Sequence, residues 1–507
     1  MRPADVVSAR SGRVADPVLA AAVALVVYGL HGFEGLLDRD RGTFVYGGQQ
    51  FAHGVPPYAG IFNSVGPLGD ALAGVGIRLG HLVGAGPVLS ARGLYLLLSV
   101  GCVAMLSALA REVFASRAAG LVAPAVFLTF ENFLDLATNG PREKTAMVLF
   151  LEGALFLALR RHWLGSGVLV ALATLTWQPV LAPAVTAVVV LVALGRPRRL
   201  RPAVRFVAGG VLTTSVVAGY FLAEGALKVA LWGFLLVNVG YTDQPSFYDD
   251  PTTTRQFLVH GYGGSLVVIL VGVVLLVALG LAALPRVVRR DEAVGPRDHA
   301  VLALATGGLV ATAWTSYAIN GAADLFVMLP FAALGVAGAA VGLAGRLGAT
   351  SRRASLVSLV VAATLWATVV SVTTRDTGLR LERHDVAAVL AAAPPGATVL
   401  SVNAPQVLVI LQRRNPEPWQ LMNSAMAPFL DDHLPGGLAA YAGRIARLKP
   451  TLIALGSHSV RDWLDPLLAR DYRRVGDAGR WTWYASRELG GRELRRLKAA
   501  NARAIAG

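Results

Sequence analysis

Four charged residues stand together near position 40, directly after a long apolar segment. Asp38 and Asp40 alternate with Arg39 and Arg41. A positioned carboxylate can take a proton from a hydroxyl group as a general base, whereas alternating Asp and Arg can also neutralise one another at a helix end. Asp40 is our first candidate for such a base. Asp38 is the second candidate, or a partner for Arg39 or Arg41.

Polar and aromatic residues follow this charged stretch and are candidates for contacts with a substrate. They are Tyr46, Gln49 and Tyr58. Residues 43–51 fit a helix that runs along a membrane surface. Pro56-Pro57 ends any helix before it, because proline cannot continue a helix and also restricts the residue that precedes it.

A second polar cluster contains two cations on either side of an acid. Arg142 and Lys144 flank Glu143, and Glu131 and Asp135 precede them. Guanidinium and ammonium groups suit phosphate, but these two can equally pair with the neighbouring carboxylates. We take Arg142 and Lys144 as candidate phosphate ligands and Glu143 as a candidate substrate contact, with ion pairing as the open alternative.

A third polar stretch combines aromatic and acidic side chains, which suit the hydroxyl groups of a sugar. It contains the run Tyr241-Thr242-Asp243-Gln244 and then Tyr248 and Asp249, our two candidate substrate contacts there. The run Asp249-Asp250-Pro251 is also typical of a plain turn.

The composition of the chain excludes a soluble protein. Of its 507 residues, 55% are hydrophobic and 15% are charged, whereas soluble domains carry about 25% charged residues. So few charges cannot cover a surface in water, so the lipid bilayer must be a partner. The net charge is +15, but no basic stretch is interleaved with aromatic residues as single-strand binders require. We therefore expect no nucleic-acid partner.

Arginine clusters predict the topology of the membrane segments. Six clusters hold 19 basic residues, and the four segments between them hold seven. Because basic residues collect in cytoplasmic loops, we expect about eleven membrane helices, with the N-terminus inside and the C-terminus outside. Residues 66–85 carry three titratable side chains and fit a helix at the outer interface. Residues 164–194 fit a tight hairpin that turns at Trp177-Gln178-Pro179.

The predicted fold is therefore a polytopic α-helical membrane protein with a small extracytoplasmic α/β domain at its C-terminus. We expect residues 1–373 to form the transmembrane domain, with residues 34–87 as its outer loop, and residues 374–507 to form the α/β domain. Within that domain the pattern predicts strands and helices. The strands are 397–402, 451–455 and 481–485, and the helices are 379–392 and 462–470.

The outer loop contains a recognisable pattern of residues. It reads Asp40-Arg41-Gly42-x-Phe44-x-Tyr46, then Gln49-Gln50, then Gly54-x-Pro56-x-Tyr58, then Gly66-Pro67-Leu68. This pattern resembles the first outer loop of the C-type (GT-C) membrane glycosyltransferases. The resemblance is closest to the bacterial clan of protein-O-mannosyltransferases and aminoarabinose transferases, and it covers residues 40–68.

The resemblance implies an enzyme that transfers a sugar from a polyprenyl-phosphate donor to an acceptor outside the cytoplasm, with inversion at the anomeric carbon. The acceptor would be a glycan, a lipid or a protein. Asp40 would act as the base, and Arg142 with Lys144 would stabilise the departing phosphate. The compartment supports this reading, because nucleotides are not supplied outside the cell and a lipid-linked donor is therefore needed.

Two departures from the family pattern qualify this assignment. Arg41 stands where the family usually has a second acid, so we predict no metal ligands there and leave a divalent-metal requirement open. Asn63-Ser64-Val65 stand where a lysine often precedes the next helix. The donor phosphate then needs another cation, which is why Arg142 and Lys144 are our candidates.

Two other classes of protein compete with this assignment. A transporter or flippase for a lipid-linked or envelope precursor would need ionisable residues in the middle of its membrane helices, and most central stretches here are Ala, Val, Leu and Gly. A non-catalytic relative that binds envelope glycan is the second alternative. The sugar, the acceptor and the oligomeric state are left open by the sequence.

Overall fold

The computed structural model describes residues 3–195, 200–241, 247–289, 295–457 and 459–506. Helices dominate up to residue 373. In chain order they are α1 (Pro3–His31), α2 (Arg39–Ala52), α3 (Leu68–His81), α4 (Pro87–Phe114), α5 (Arg117–Leu128), α6 (Glu131–Asn139), α7 (Glu143–Leu159), α8 (Trp163–Thr174), α9 (Leu181–Leu194), α10 (Leu200–Ala223), α11 (Leu227–Leu231), α12 (Val237–Gly240), α13 (Pro251–Tyr262), α14 (Ser265–Arg289), α15 (Pro296–Tyr317), α16 (Leu329–Ala344) and α17 (Ala349–Thr373).

The remainder of the chain combines helices with four short strands. In chain order they are α18 (Gly378–Ala392), β1 (Val399–Val402), α19 (Pro405–Leu411), α20 (Met426–His433), α21 (Gly437–Leu448), β2 (Leu452–Leu455), α22 (Asp465–Asp471), β3 (Tyr472–Ala478), β4 (Trp481–Ser486) and α23 (Gly491–Ala506). Short 3-10 or π turns occupy Gln178–Val180, Trp232–Leu236 and Ala322–Met328.

Seven helical stretches among the described residues are long and apolar enough to cross a membrane. They are Val14–His31, Pro87–Phe114, Leu200–Ala223, Ser265–Arg289, Pro296–Tyr317, Ala322–Ala344 and Ala349–Ala392, whose apolar part lies in α17. Helices α5 and α6 form a pair bent by 75° that would count as an eighth. The chain is a multi-pass, mostly helical membrane protein, and the eleven-helix count with its orientation stays a prediction.

Two segments that were ambiguous in the sequence form short helices. Helix α3 has 14 residues, which at 1.5 Å per residue makes about 21 Å, less than the roughly 30 Å hydrocarbon core of a bilayer. Helices α8 and α9 are separated by a break at Trp177 and a 3-10 turn at Gln178–Val180. This break lies where the hairpin turn is predicted.

The chain divides into two compact units. The first comprises Met1–Gly32, Gly93–Gly219 and Gln244–Arg375. In it α14 packs against α15 and α16, and α14 and α16 meet at Gly272 and Gly335. A Cβ atom added to Gly335 would lie 1.9 Å from the carbonyl oxygen of Gly272. Such backbone contact requires glycine, which is typical of helix packing in membranes.

The second unit comprises Phe33–Arg92, Tyr220–Asp243 and Asp376–Gly507. Its sheet has the strand order β1-β2-β4-β3. Strands β1 and β2 are parallel, and β4 is antiparallel to both β2 and β3. The predictions of strands at β1, β2 and β4 are confirmed, as are the helices at α18 and, with shifted bounds, α22.

Helix α2 is enclosed within the second unit. Helix α3 packs against it on one side and α19 on another, so that nine consecutive residues, Gly42 to Gln50, are buried. A Cβ atom on Gly48 would lie 2.8 Å from the backbone nitrogen of Gly74, so glycine is needed for this close approach. The predicted helix is confirmed, and its position along a membrane surface stays a prediction.

Candidate functional site

Asp38 is the N-cap of α2. Its Oδ1 accepts a hydrogen bond from the backbone N–H of Arg41 at 2.8 Å, and its Oδ2 lies 3.2 Å from Arg41 Nε. A side-chain acceptor at this position satisfies a backbone donor that the helix leaves unpaired. Of the two roles considered for Asp38, the structure shows the pairing with Arg41.

Asp40 lies in the first turn of α2 and remains accessible. Its Oδ1 is 3.2 Å from Nη2 of Arg39, and its side chain is 43% exposed. The residues that follow, Gly42 to Gln50, are all buried. The positive end of the helix dipole favours negative charge at this position. The arrangement therefore places an accessible carboxylate at the N-terminal end of a closely packed helix.

The three candidate substrate contacts of this region are buried and bonded within the unit. The Tyr46 hydroxyl accepts a hydrogen bond from the backbone N–H of Asn415 at 2.8 Å, and burial raises the pKa of Tyr46 above its usual range. Gln49 Nε2 donates to Val409 O at 3.4 Å. Tyr58 donates its hydroxyl to Val65 O at 2.7 Å. These contacts fix α2 and the following loop in place.

The basic cluster of the first unit lies at the start of α7. Arg142 is its N-cap residue, with Nε 3.4 Å from Glu143 Oε2. Lys144 Nζ lies 3.1 Å from Glu143 Oε1 and 2.9 Å from Asp324 Oδ1, and it faces the ring of Trp177 at 5.2 Å from the centroid. Glu143 is therefore the carboxylate that both cations share.

The charges of this cluster balance, but the two cations differ in access. Two cations face two carboxylates, and the Lys144 side chain is 6% exposed against 16% for Arg142. Asp324 also accepts backbone hydrogen bonds from Asn320 and Gly321 at 2.6 and 3.1 Å, so it caps the turn Ala322–Met328. Lys144 is held by both carboxylates, and Arg142 is the more accessible of the two cations.

The third polar stretch is exposed at its described residues. Tyr248 and Asp249 are both exposed, and Asp250 Oδ1 accepts a hydrogen bond from Thr253 N at 3.0 Å as the N-cap of α13. Pro251 follows at the first helical position, where proline fits well. The predicted turn is present. Thr242, Asp243 and Gln244 of the same stretch lie outside the described residues.

The buried carboxyl groups that were not among the sequence candidates include Glu152 and Glu382. Glu152 lies in the middle of α7, fully buried, and neither of its oxygens has a hydrogen-bond partner in the described part of the chain. The sequence feature that could have identified Glu152 is a single acidic residue within an apolar run. Glu382 lies in α18, is buried, and accepts a hydrogen bond from the backbone N–H of Leu37. No local pattern marks it, because its partner is 345 residues away.

The described residues contain no group of three or more His, Cys, Asp or Glu side chains placed to hold a metal ion. A divalent metal therefore has no candidate ligand set within these ranges, and the steps proposed below use the protein's own side chains.

The chain is similar in structure to ArnT from Cupriavidus metallidurans, an aminoarabinose transferase of the GT-C type. The match to ArnT in the apo state has a TM-score of 0.61 and 16% identity, and covers 92% of this chain and 97% of ArnT. The match to ArnT bound to undecaprenyl phosphate has a TM-score of 0.61 and 17% identity, and covers 94% and 98%.

A further match is the arabinofuranosyltransferase AftD from Mycobacteria, with a TM-score of 0.49 and 16% identity over 93% of this chain and 40% of AftD. No family model matches the sequence, and no curated relative matches it either. As the residue pattern of the outer loop predicts, the chain has the fold of the GT-C membrane glycosyltransferases represented by ArnT.

Proposed function

We propose that this protein transfers a sugar from a polyprenyl-phosphate donor to a glycan, lipid or protein acceptor outside the cytoplasm. The observation that carries the proposal is the accessible carboxylate of Asp40 at the N-terminus of the enclosed helix α2, in a fold shared with ArnT. ArnT has been observed with undecaprenyl phosphate bound, which supports a donor of that lipid class.

Asp40 is the proposed general base. As the acceptor hydroxyl attacks the anomeric carbon, its proton passes to the Asp40 carboxylate and the bond to the lipid phosphate breaks, which inverts the anomeric centre. A general base of this kind contributes about 10²–10⁴-fold to the rate. Asp38 has a different role in this scheme, because its two oxygens hold Arg41 and the helix N-terminus.

The second part of the proposal concerns the departing phosphate. Arg142 is the preferred ligand, since its side chain is more exposed than that of Lys144. Glu143 then orients Arg142. Lys144 contributes through its charge, held by Glu143 and Asp324. Cations placed where negative charge develops lower the barrier for group transfer.

The remaining candidate substrate contacts fall into two groups, one with buried and one with exposed side chains. Tyr46, Gln49 and Tyr58 are buried and shape the site by holding α2. Tyr248 and Asp249 are exposed and are the candidates for direct contact with sugar hydroxyls.

The experiment uses membranes that contain the protein and a panel of radiolabelled polyprenyl-phosphate sugars. Comparing envelope glycans of cells with and without the protein first indicates which sugar to use. Asp40→Asn keeps the shape of the side chain and removes its charge, so transfer should fall at least 100-fold. The exposed Asp462→Asn is the matched control and should retain full activity.

Three outcomes separate the classes of function. Transfer that depends on Asp40 supports the proposal. Full transfer by a normally folded Asp40→Asn protein removes Asp40 as the base. Movement of the labelled lipid across the bilayer without transfer indicates a flippase, and binding of envelope glycan with neither activity indicates the non-catalytic relative.

One observation favours the flippase alternative. Glu152 is an ionisable side chain in the middle of an apolar helix, and such residues often mark transport pathways. Glu152 is an exception to the expectation that most central stretches carry no charge. Glu152→Gln should abolish lipid movement if the protein is a flippase, and should leave sugar transfer intact if it is a transferase.

A further inference from the structure

The six residues 33–38 join the end of α1 to the start of α2, and we call them the linker. The linker has no helix or strand of its own, yet it ends at Asp38, the N-cap of α2. Its direction therefore determines how α2 begins and where Asp40, two residues later, presents its carboxylate.

Side chains from elsewhere in the second unit hold the linker backbone. Glu382 Oε2 accepts a hydrogen bond from Leu37 N at 2.8 Å, and Asp376 Oδ2 accepts one from Leu36 N at 2.7 Å. The backbone N–H of Leu379 donates to Glu34 O at 3.0 Å. Residues from the start of α18 and just before it thus satisfy backbone groups at three positions of the linker, Glu34, Leu36 and Leu37.

Arg92, which is fully buried, holds the opposite groups of the linker. Its Nη2 donates to Gly35 O at 2.8 Å, and its Nη1 donates to Phe33 O. Arg41 Nη1 donates to Leu36 O at 3.0 Å. The linker is consequently bonded through both its N–H and its carbonyl groups, and the Leu37 side chain is fully buried as well.

Glu382 is the member of this arrangement whose charge can change near neutral pH. It is 2% exposed, and its second oxygen, Oε1, has no hydrogen-bond partner among the described residues. Burial raises its pKa to about 7, against the influence of the Leu37 N–H, Arg480 and Arg92, while Asp38 raises it further. The charged groups that face Glu382 are Arg480 in the turn between β3 and β4, Arg92 in α4 and Asp38 at the start of α2.

We propose that Glu382 is a positioning residue for sugar transfer: through the Leu37 amide, its carboxylate fixes the linker that sets the direction of Asp40. The inference rests on the proposed function, and it gives the α18 region a part in the reaction. A charge-assisted hydrogen bond is roughly twice as strong as a neutral one. The ionised carboxylate therefore holds the linker firmly, and the protonated form holds it more loosely.

The activity should consequently fall on the acid side of neutral pH. Wild type should lose rate as the pH falls through about 7, with kcat roughly fivefold lower at the acid plateau, from the difference between charged and neutral hydrogen bonds. Glu382→Gln resembles the protonated form at every pH, so its kcat should stay near that plateau and its KM for the donor should not change.

Hydrogen exchange of the segment 33–41 provides a readout that does not need activity. At pH 8 the Glu382→Gln protein should exchange faster than wild type in this segment, and at pH 5.5 the two should be equal. Glu382→Asp keeps the charge and should retain the pH dependence with a lower rate. Glu488→Gln, at an exposed carboxylate that pairs with Lys449, is the matched control and should match wild type in both measurements.

Each result decides between the two proposals. If wild type is inactive with every donor while Glu382→Gln loses protection of the linker, the proposed function fails and the linker contact stands. If wild type is active, and Glu382→Gln shows the same fall of kcat at acid pH and the same hydrogen exchange of segment 33–41 as wild type, the positioning role of Glu382 is overturned. Should the Gln variant fail to fold, an Asp variant without pH dependence would overturn it equally.

Discussion

Replacing Lys144 by methionine separates a structural role of this cation from a phosphate-binding one. Lys144 Nζ lies 2.9 Å from Asp324 Oδ1 and 3.1 Å from Glu143 Oε1, in a nearly solvent-free position. Methionine keeps the apolar stem and removes the charge. Two buried carboxylates, Glu143 and Asp324, then lose their shared cation, and Arg142 remains beside Glu143.

The expected loss of stability follows from these distances. Two unit charges about 3 Å apart attract by about 5–6 kcal/mol at an effective dielectric constant near 20. The desolvation of the three groups offsets part of this attraction, and breaking a buried ion pair typically costs about 3–5 kcal/mol. Lys144→Met should therefore lower the free energy of unfolding by about 3–5 kcal/mol.

The assay is reversible unfolding in mixed micelles of a mild detergent and dodecyl sulfate, followed by circular dichroism. The double variant Lys144→Met/Asp324→Asn removes one carboxylate together with the cation, so it should be more stable than Lys144→Met alone. Lys449→Met is the matched control, because its ammonium group is exposed, and it should unfold like wild type.

The opposite result would refute the pairing argument. A Lys144→Met protein that unfolds like wild type but binds the lipid donor more weakly would make Lys144 a direct phosphate ligand. The balance of charge seen around it would then have no energetic weight.

Three further changes test other parts of the structure. Gly48→Ala places a methyl group 2.8 Å from the Gly74 backbone nitrogen and should destabilise the packing of α2 on α3 by about 1–3 kcal/mol, whereas Gly93→Ala, with open space around it, should not; equal unfolding free energies would contradict the packing argument. Tyr46→Phe leaves the buried Asn415 N–H without its acceptor and should cost about 1–3 kcal/mol in the same unfolding assay, with the exposed Tyr317→Phe unchanged. The third concerns pH: burial raises the pKa of Glu382 from 4.5 to about 7, so the stabilisation from its bound proton is complete below pH 4.5 and is lost as the pH rises through about 7. Glu382→Gln should therefore be more stable than wild type at pH 8, by about 3 kcal/mol at most, and similar at pH 4.5; the same difference at both pH values would be inconsistent with this titration.

Local sequence patterns were sufficient to predict the strands whose residues are either all buried or alternately buried. Strands β1 and β2 are buried at every residue and β4 alternates, and all three were predicted. Strand β3 was missed because Arg473, Arg474 and Asp477 interrupt its pattern and a bulge lies between Arg474 and Gly476. The polar residues leave no period of two to detect.

The candidate site depended more on contacts between distant parts of the chain. The helix at α2 followed from its residues, but its enclosure comes from α19, more than 350 residues later. Likewise, the two alternatives for Lys144 were both visible in the sequence, and only the distance to Asp324 shows how its charge is balanced. Contacts between residues so far apart in the chain produce no local sequence pattern. The sequence therefore identified candidate residues but not the residues they contact.

The second unit is assembled from three separated stretches of the chain, and this has a consequence for its synthesis. At about 5–20 residues per second, the ribosome needs tens of seconds to advance from Leu37 to Glu382, 345 residues later. During that interval the nascent protein carries Asp40 without the Glu382 contact that we propose to orient it. The enzyme we propose would therefore reach its full activity only after the α18 region has been synthesised and has bonded to the linker.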